Sequence, residues 1–200
     1  MRPRRWGSRR RESVGPSSGW KHSDPASSAS ERAACRSAVK SRGYTHLYIS
    51  IAHEHVNWFT NPAGFRSLLQ ELVNDGIEPV VFLTSDTGAW KDGPISDIAR
   101  DLDNVIPQID ELVSSYVIGI EVNEYWTESE ASSIGTHMQG LTSKKIAVHQ
   151  TARRWDYCVN ASWCDYMMLQ YAEPTSSVMD AETSTITQDA APLRPQRSAP

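Results

Sequence analysis

Residues 114–130 read SSYVIGIEVNEYWTESE. An apolar, strand-like run over 116–122 encloses Glu121 and closes on Asn123 and Glu124, and two aromatics, Tyr125 and Trp126, follow at once. Neighbouring carboxyl groups can do general acid/base work once their surroundings tune their pKa. In a core they are costly unless paired, hydrogen-bonded or neutralised. Either this tip meets solvent, or the acids have a task.

Polar and titratable residues recur where other apolar runs stop. One run ends in His53, Glu54 and His55, another in Thr84, Ser85 and Asp86. Later runs end in His149 and Gln150, and in Gln170 and Tyr171. Strand ends meet solvent and are often polar, so one such end means little. Five of them, rich in His, Asp and Glu, point to a shared cleft. His53 and His55 share a side of an extended chain and could, with His149 and Asp86, ligate a metal. That H-x-H spacing also arises by chance, and the expectation is no metal and no cofactor.

The segments that would position these residues alternate in period. Apolar runs suit strands over 46–52, 77–85, 116–122, 144–149 and 165–171. Helices are expected over about 30–42, 61–76, 97–114, 127–141 and 154–162. Asn61 can cap the second, Pro62 suits its first turn and Gly76 ends it. Phe65, Leu68, Leu69, Leu72 and Val73 form its apolar stripe. Pro107 is expected to kink or divide the third helix. Thr127 and Glu130 make a capping box for the fourth. The run over 77–85 is continuous rather than alternating, as in parallel sheets covered on both faces.

These readings predict an α/β domain over 31–173 between poorly ordered tails, 1–30 (Arg and Ser rich) and 174–200. All-α and all-β folds are excluded. The net charge is −4, and six arginines lie in the first eleven residues. Taking those six away from −4 leaves −10 on the rest, which argues against a nucleic-acid face on the folded domain. No apolar run approaches a membrane span of about 20 residues, and the Arg-rich start lacks the apolar core of a secretory signal. A cytoplasmic location is then the default. Cys35, Cys158 and Cys164 are odd in number, lack metal-type spacing and are read as reduced.

Two parallel architectures remain, a (β/α) barrel and an open doubly wound sheet. Nucleotide-binding open sheets carry a glycine-rich turn after the first strand, and none occurs here. Catalytic groups drawn from several strand ends are the habit of the barrel. The expectation is a partial (β/α)8 TIM-barrel-like domain with about five parallel strands.

Asn123–Glu124, closing an apolar strand and followed by an aromatic, resembles the acid/base signature of clan A glycoside hydrolases. The segments GIEPVVFLTSDTGAWKDG, VSSYVIGIEVNEYW and CDYMMLQY also look like glycoside-hydrolase-type barrel domains of phage and bacterial proteins. The resemblance spans roughly 40–172. It implies carbohydrate as substrate, Glu124 as proton donor and Asn123 as a partner of the sugar 2-OH. Clan A enzymes take a second Glu from a seventh strand, whereas this chain stops near the sixth, so the resemblance implies a truncated barrel.

Glycoside hydrolysis needs one protonated and one ionised carboxyl group flanking the bond. Within this chain the expected set is Glu124 as acid, Glu121 as its neighbour and Asp86 as the carboxylate across the barrel. Trp90 and Trp58, in loops after strands, could stack on a sugar ring. Trp126 could do so too, or pack on the next helix. His149, Gln170 and Tyr171 complete the expected substrate contacts. The alternative is a catalytically incomplete barrel fragment that binds carbohydrate or serves as an assembly module. Its open sheet edges would favour self-association.

Overall fold

The computed structural model describes residues 27–53, 56–85, 89–151 and 156–170. Most of both expected tails lies outside them, as do Glu54, His55, Asp86 and Tyr171 and the side chains of Trp90 and Gln170. The chain runs α1 (Ala29–Ser41), β1 (His46–Ser50), β2 (Ala52–His53), β3 (Val56–Asn57), α2 (Pro62–Asn74) and β4 (Glu78–Phe82). Then come α3 (Ile95–Ile109), β5 (Ser115–Val117), α4 (Glu128–Leu141), β6 (Lys145–Thr151), α5 (Asp156–Val159) and β7 (Tyr166–Gln170).

The caps form where local chemistry predicts them. Asn61 Oδ1 accepts the Gly64 N–H at 3.1 Å, and Pro62 opens α2. Phe65, Leu68, Leu69 and Leu72 are buried, while Val73, at the end of the stripe, is 38% exposed. Thr127 and Glu130 make the reciprocal capping box of α4. The hydrogen bonds that the Glu130 carboxylate accepts from Thr127 hold it below the usual carboxylate range. Arg32 and Arg36 of α1 both pair with Glu71 of α2, and Arg36 also pairs with Asp75, the residue that caps the end of α2, which sets the first helix beside the second.

Five strands form one parallel sheet in the order β1-β4-β5-β6-β7. Spatial order follows chain order without reversal, so the crossovers do not change direction midway as they do in doubly wound sheets. The core divides accordingly. Leu47, Ile49, Val81, Tyr116, Ile146 and Val148 pack with helical residues such as Phe65, Leu102 and Ile134. Val80, Phe82, Val117 and Ala147, alternating with them, form a second cluster on the other face, with no helical residue among those described. Helices on one side and a strand-only interior are the two layers of a (β/α) barrel.

Several expectations need correction. The run over 116–122 is not one strand: β5 stops at Val117, and the turn beyond it is described below. The fourth helix before β6 is as expected, but among the described residues of the last crossover the helix is the single turn α5, and 160–162, expected to continue it, are not helical. Ala52, assigned to the first strand, instead pairs antiparallel with Asn57. Cys158 and Cys164, read as reduced, form a disulfide with their Cα atoms 5.3 Å apart. The chain turns back after α5, so a sequence separation that would part them on a helix brings them together. Cys35 is buried and keeps its thiol.

One buried group makes stability depend on alkaline pH. Tyr116 donates to Asp110 Oδ1 at 3.1 Å, and Thr142 donates to the same oxygen at 2.5 Å. Burial first, then the Asp110 charge and hydrogen bond, raises the Tyr116 phenol well above its ordinary 10.0. The folded chain keeps this proton where the unfolded chain loses it. Its contribution is full below about pH 10 and falls above it by up to about 1.4 kcal/mol per pH unit. Denaturant melts between about pH 9 and about pH 11 should show a steeper loss for the wild type than for Tyr116→Phe. Tyr166 shifts the same way through burial and is present in both proteins, so the difference isolates Tyr116. Parallel slopes would refute it.

Candidate functional site

The carboxyl ends of the strands lie at one end of the sheet, because all five run in the same direction. The chain leaving β5 stays in the sheet briefly: Ile118 N–H bonds Ala147 C=O at 3.0 Å and Ile120 N–H bonds Thr84 C=O at 3.1 Å. Then it breaks. Glu121 adopts the left-handed conformation, φ 53° and ψ 41°, and a 3-10 turn follows over Val122–Glu124. Among the described residues Glu121 is the one non-glycine with positive φ. For such a residue this costs about 1–2 kcal/mol, so surrounding contacts must hold it.

Strand β6 supplies those contacts. Glu121 N–H donates to His149 Nδ1 at 2.9 Å. Two residues on, the Asn123 amide grips Thr151: Nδ2 donates to Thr151 Oγ1 at 2.7 Å, and Oδ1 accepts the Thr151 N–H at 2.9 Å. Glu124 N–H closes the turn on Glu121 C=O at 2.8 Å, and the Glu124 side chain is exposed. A left-handed residue interrupts the period of two at Glu121, so strand alternation does not set which way Glu121 and Asn123 point. Thr151 was not foreseen. Its signal was available, since 145, 147, 149 and 151 share one face of β6 and the strand runs two residues past His149.

The aromatics after the turn belong to its support. Trp126 is 4% exposed, its ring packs in the outer core, and its Nε1 donates to Lys91 C=O at 2.9 Å. Of the two placements open to it, packing beside the helices is the one its ring occupies. Tyr157 donates to the Trp126 carbonyl at 2.8 Å. Tyr125 meets Trp126 edge-on with ring centres 5.2 Å apart, and Lys91 Nζ lies 5.3 Å from its ring centre. Gly119 leaves room for the phenol: a Cβ there would stand 2.3 Å from Tyr125 Oη. The loops after β4 and β5 are thereby joined.

On the neighbouring ends, buried His53 and Ser85 meet at 3.0 Å between Nδ1 and Oγ. Trp58 is buried in the outer core. His149 faces Phe82 edge-on, with ring centres 6.1 Å apart. Gln170 pairs through its backbone with Thr151 at the same end of the sheet. Among the described residues no group of three His, Cys, Asp or Glu could hold a metal ion, and no helix is long and apolar enough to cross a membrane. An open groove lies at the opposite end of the inner face, lined by Tyr44, His46, Tyr48, Glu78, Lys145 and Tyr166. It sits where the strands begin, the end of a barrel associated with stability rather than chemistry.

No family profile matches the sequence, and no curated protein does. Solved structures do. A GH113 β-1,4-mannanase complex aligns over 76% of this chain and 60% of its own, at 10% identity and a TM-score of 0.52. Its architecture decides between the two parallel folds. The fold is that of a partial (β/α) barrel. Two β-glucosidases, from Exiguobacterium marinum and Exiguobacterium antarcticum, also match over 58% of the chain and 36% of theirs. Their identities are 14% and 17% and their TM-scores 0.45 and 0.44. The chain thus spans about a third to three-fifths of the length of these neighbours, and what it shares with the mannanase is a likeness of fold.

Proposed function

We propose that this chain is a glycoside-hydrolase-like domain acting on O-glycosidic bonds by carboxylate acid/base chemistry. The single observation that carries the reading is the braced turn at the end of β5. It holds Asn123 and Glu124 at the carboxyl end of a sequentially ordered parallel sheet. Barrel enzymes build their sites at that end. Glu124 is the proposed proton donor. Glu121 is its proposed neighbour in the site, and Asp86 is the proposed carboxylate across the cleft. His149, Gln170, Tyr171 and Trp90 are proposed carbohydrate contacts. The phage-like affinity suggested by the sequence belongs to the same proposal.

A second reading has its own support. Both polar ends of the Asn123 amide are engaged by Thr151, which leaves a sugar hydroxyl less to bind. The described sheet also has two edge strands, β1 and β7. A catalytically incomplete fragment that binds carbohydrate, or self-associates through those edges, fits these facts. Turnover of a panel of aryl glycosides by the full chain, with oligomer size by light scattering, separates the two. Hydrolysis by a monomer supports the enzyme. No hydrolysis on any substrate, together with a dimer or larger species, overturns it in favour of the assembly module.

A further inference from the structure

We propose that His149 is a positioning residue: its Nδ1, acting as a bare acceptor, holds the left-handed turn from which Glu124 projects. The catalytic consequence rests on the reading of Glu124 as the acid, but the positioning role does not.

A backbone N–H can only donate. The 2.9 Å contact from Glu121 N–H therefore requires a lone pair on His149 Nδ1. This selects the neutral imidazole with its proton on Nε2. The ring cannot follow the turn if the turn relaxes. It is carried by β6, which is paired on both sides, to β5 and to β7, and its ring meets the Phe82 ring edge-to-face.

Glutamate has no preference of its own for positive φ, whereas glycine adopts it freely. The conformation at Glu121 is thus imposed by what surrounds it. Its consequence is local and large. With Glu121 left-handed, its carbonyl turns to accept Glu124 N–H at 2.8 Å, and Val122 is fully buried. With Glu121 extended, the strand would run on and carry Glu124 elsewhere. Asn123 and Thr151 tie the same turn to the same strand, so β6 grips it at two points. His149 is the point nearer the pivot.

Nitrogen NMR of the imidazoles in the full chain at neutral pH reads the claim directly. His149 Nδ1 should be unprotonated and coupled through the hydrogen bond to the Glu121 amide. A proton on Nδ1 overturns the proposal. In His149→Ala the Glu121 amide should exchange about five- to ten-fold faster, as expected for one lost hydrogen bond. His149→Asn should keep its protection, because Asn Oδ1 stands where Nδ1 did. Equal protection in the alanine variant overturns the proposal, as does equal loss in both. If His149→Ala does not fold, the wild-type spectrum and the asparagine variant still decide. Where wild type turns over a glycoside, His149→Ala should lower kcat, and His149→Asn should recover most of it. Absence of turnover by wild type sinks the glycosidase reading and leaves the NMR result to stand or fall alone.

Discussion

Glu124→Gln will lower turnover by about 10²–10⁴-fold if the chain hydrolyses glycosides with Glu124 as its acid. Glutamine keeps the shape and loses the proton. The leaving oxygen must then depart as an alkoxide, and the barrier rises by about 3–5 kcal/mol. The loss should grow with the basicity of the leaving group, being small for an activated aryl glycoside and largest for an alkyl one. The fold should not change, because Glu124 is exposed and such surface substitutions stay within about 0.5 kcal/mol. Kinetics on two substrates of different leaving-group pKa, beside a thermal melt, test this. Equal nonzero turnover by both proteins removes Glu124 from the mechanism. Asn123→Ala should act differently: with the Thr151 grip released, both the rate and the order of the turn should suffer.

Trp163→Ala should cost about 3–5 kcal/mol, the range for removing a buried aromatic. Trp163 is 2% exposed and lies against α4 at Gly135, where an added Cβ would stand 2.1 Å from its ring. In a helix interior Gly→Ala ordinarily gains up to about 1 kcal/mol. Here the sign should reverse, and Gly135→Ala alone should lose about 1–3 kcal/mol from overpacking. In the double variant the alanine enters space the indole vacated, so the combined loss should fall well short of the sum of the two. Denaturant midpoints of the four proteins give the coupling. Strict additivity would mean that the two residues do not share the space.

How much was legible depends on the range of the cause. The α2 cap and stripe follow from neighbours within four residues, and Asn61, Pro62 and Phe65 to Leu72 behave as their spacing predicts. The Thr127–Glu130 box forms for the same reason. The turn after β5 failed that logic. Val-Ile-Gly-Ile-Glu-Val has the composition of a strand, yet its path is decided by His149 and Thr151, 28 residues away. The disulfide escaped likewise, because a six-residue spacing says nothing until the backbone is known to turn back after Val159.

The sequence by itself determined the α/β class, the order of alternating elements, the caps and the presence of acids at strand ends. These rest on periodicity and on short-range hydrogen bonding, which act wherever the residues stand. The tertiary structure alone decided the strand order by which the expected barrel-like sheet is built, the burial of Trp126 and the left-handed pivot at Glu121. Each of these is a contact between segments far apart in the chain, and no local pattern encodes which segments will meet.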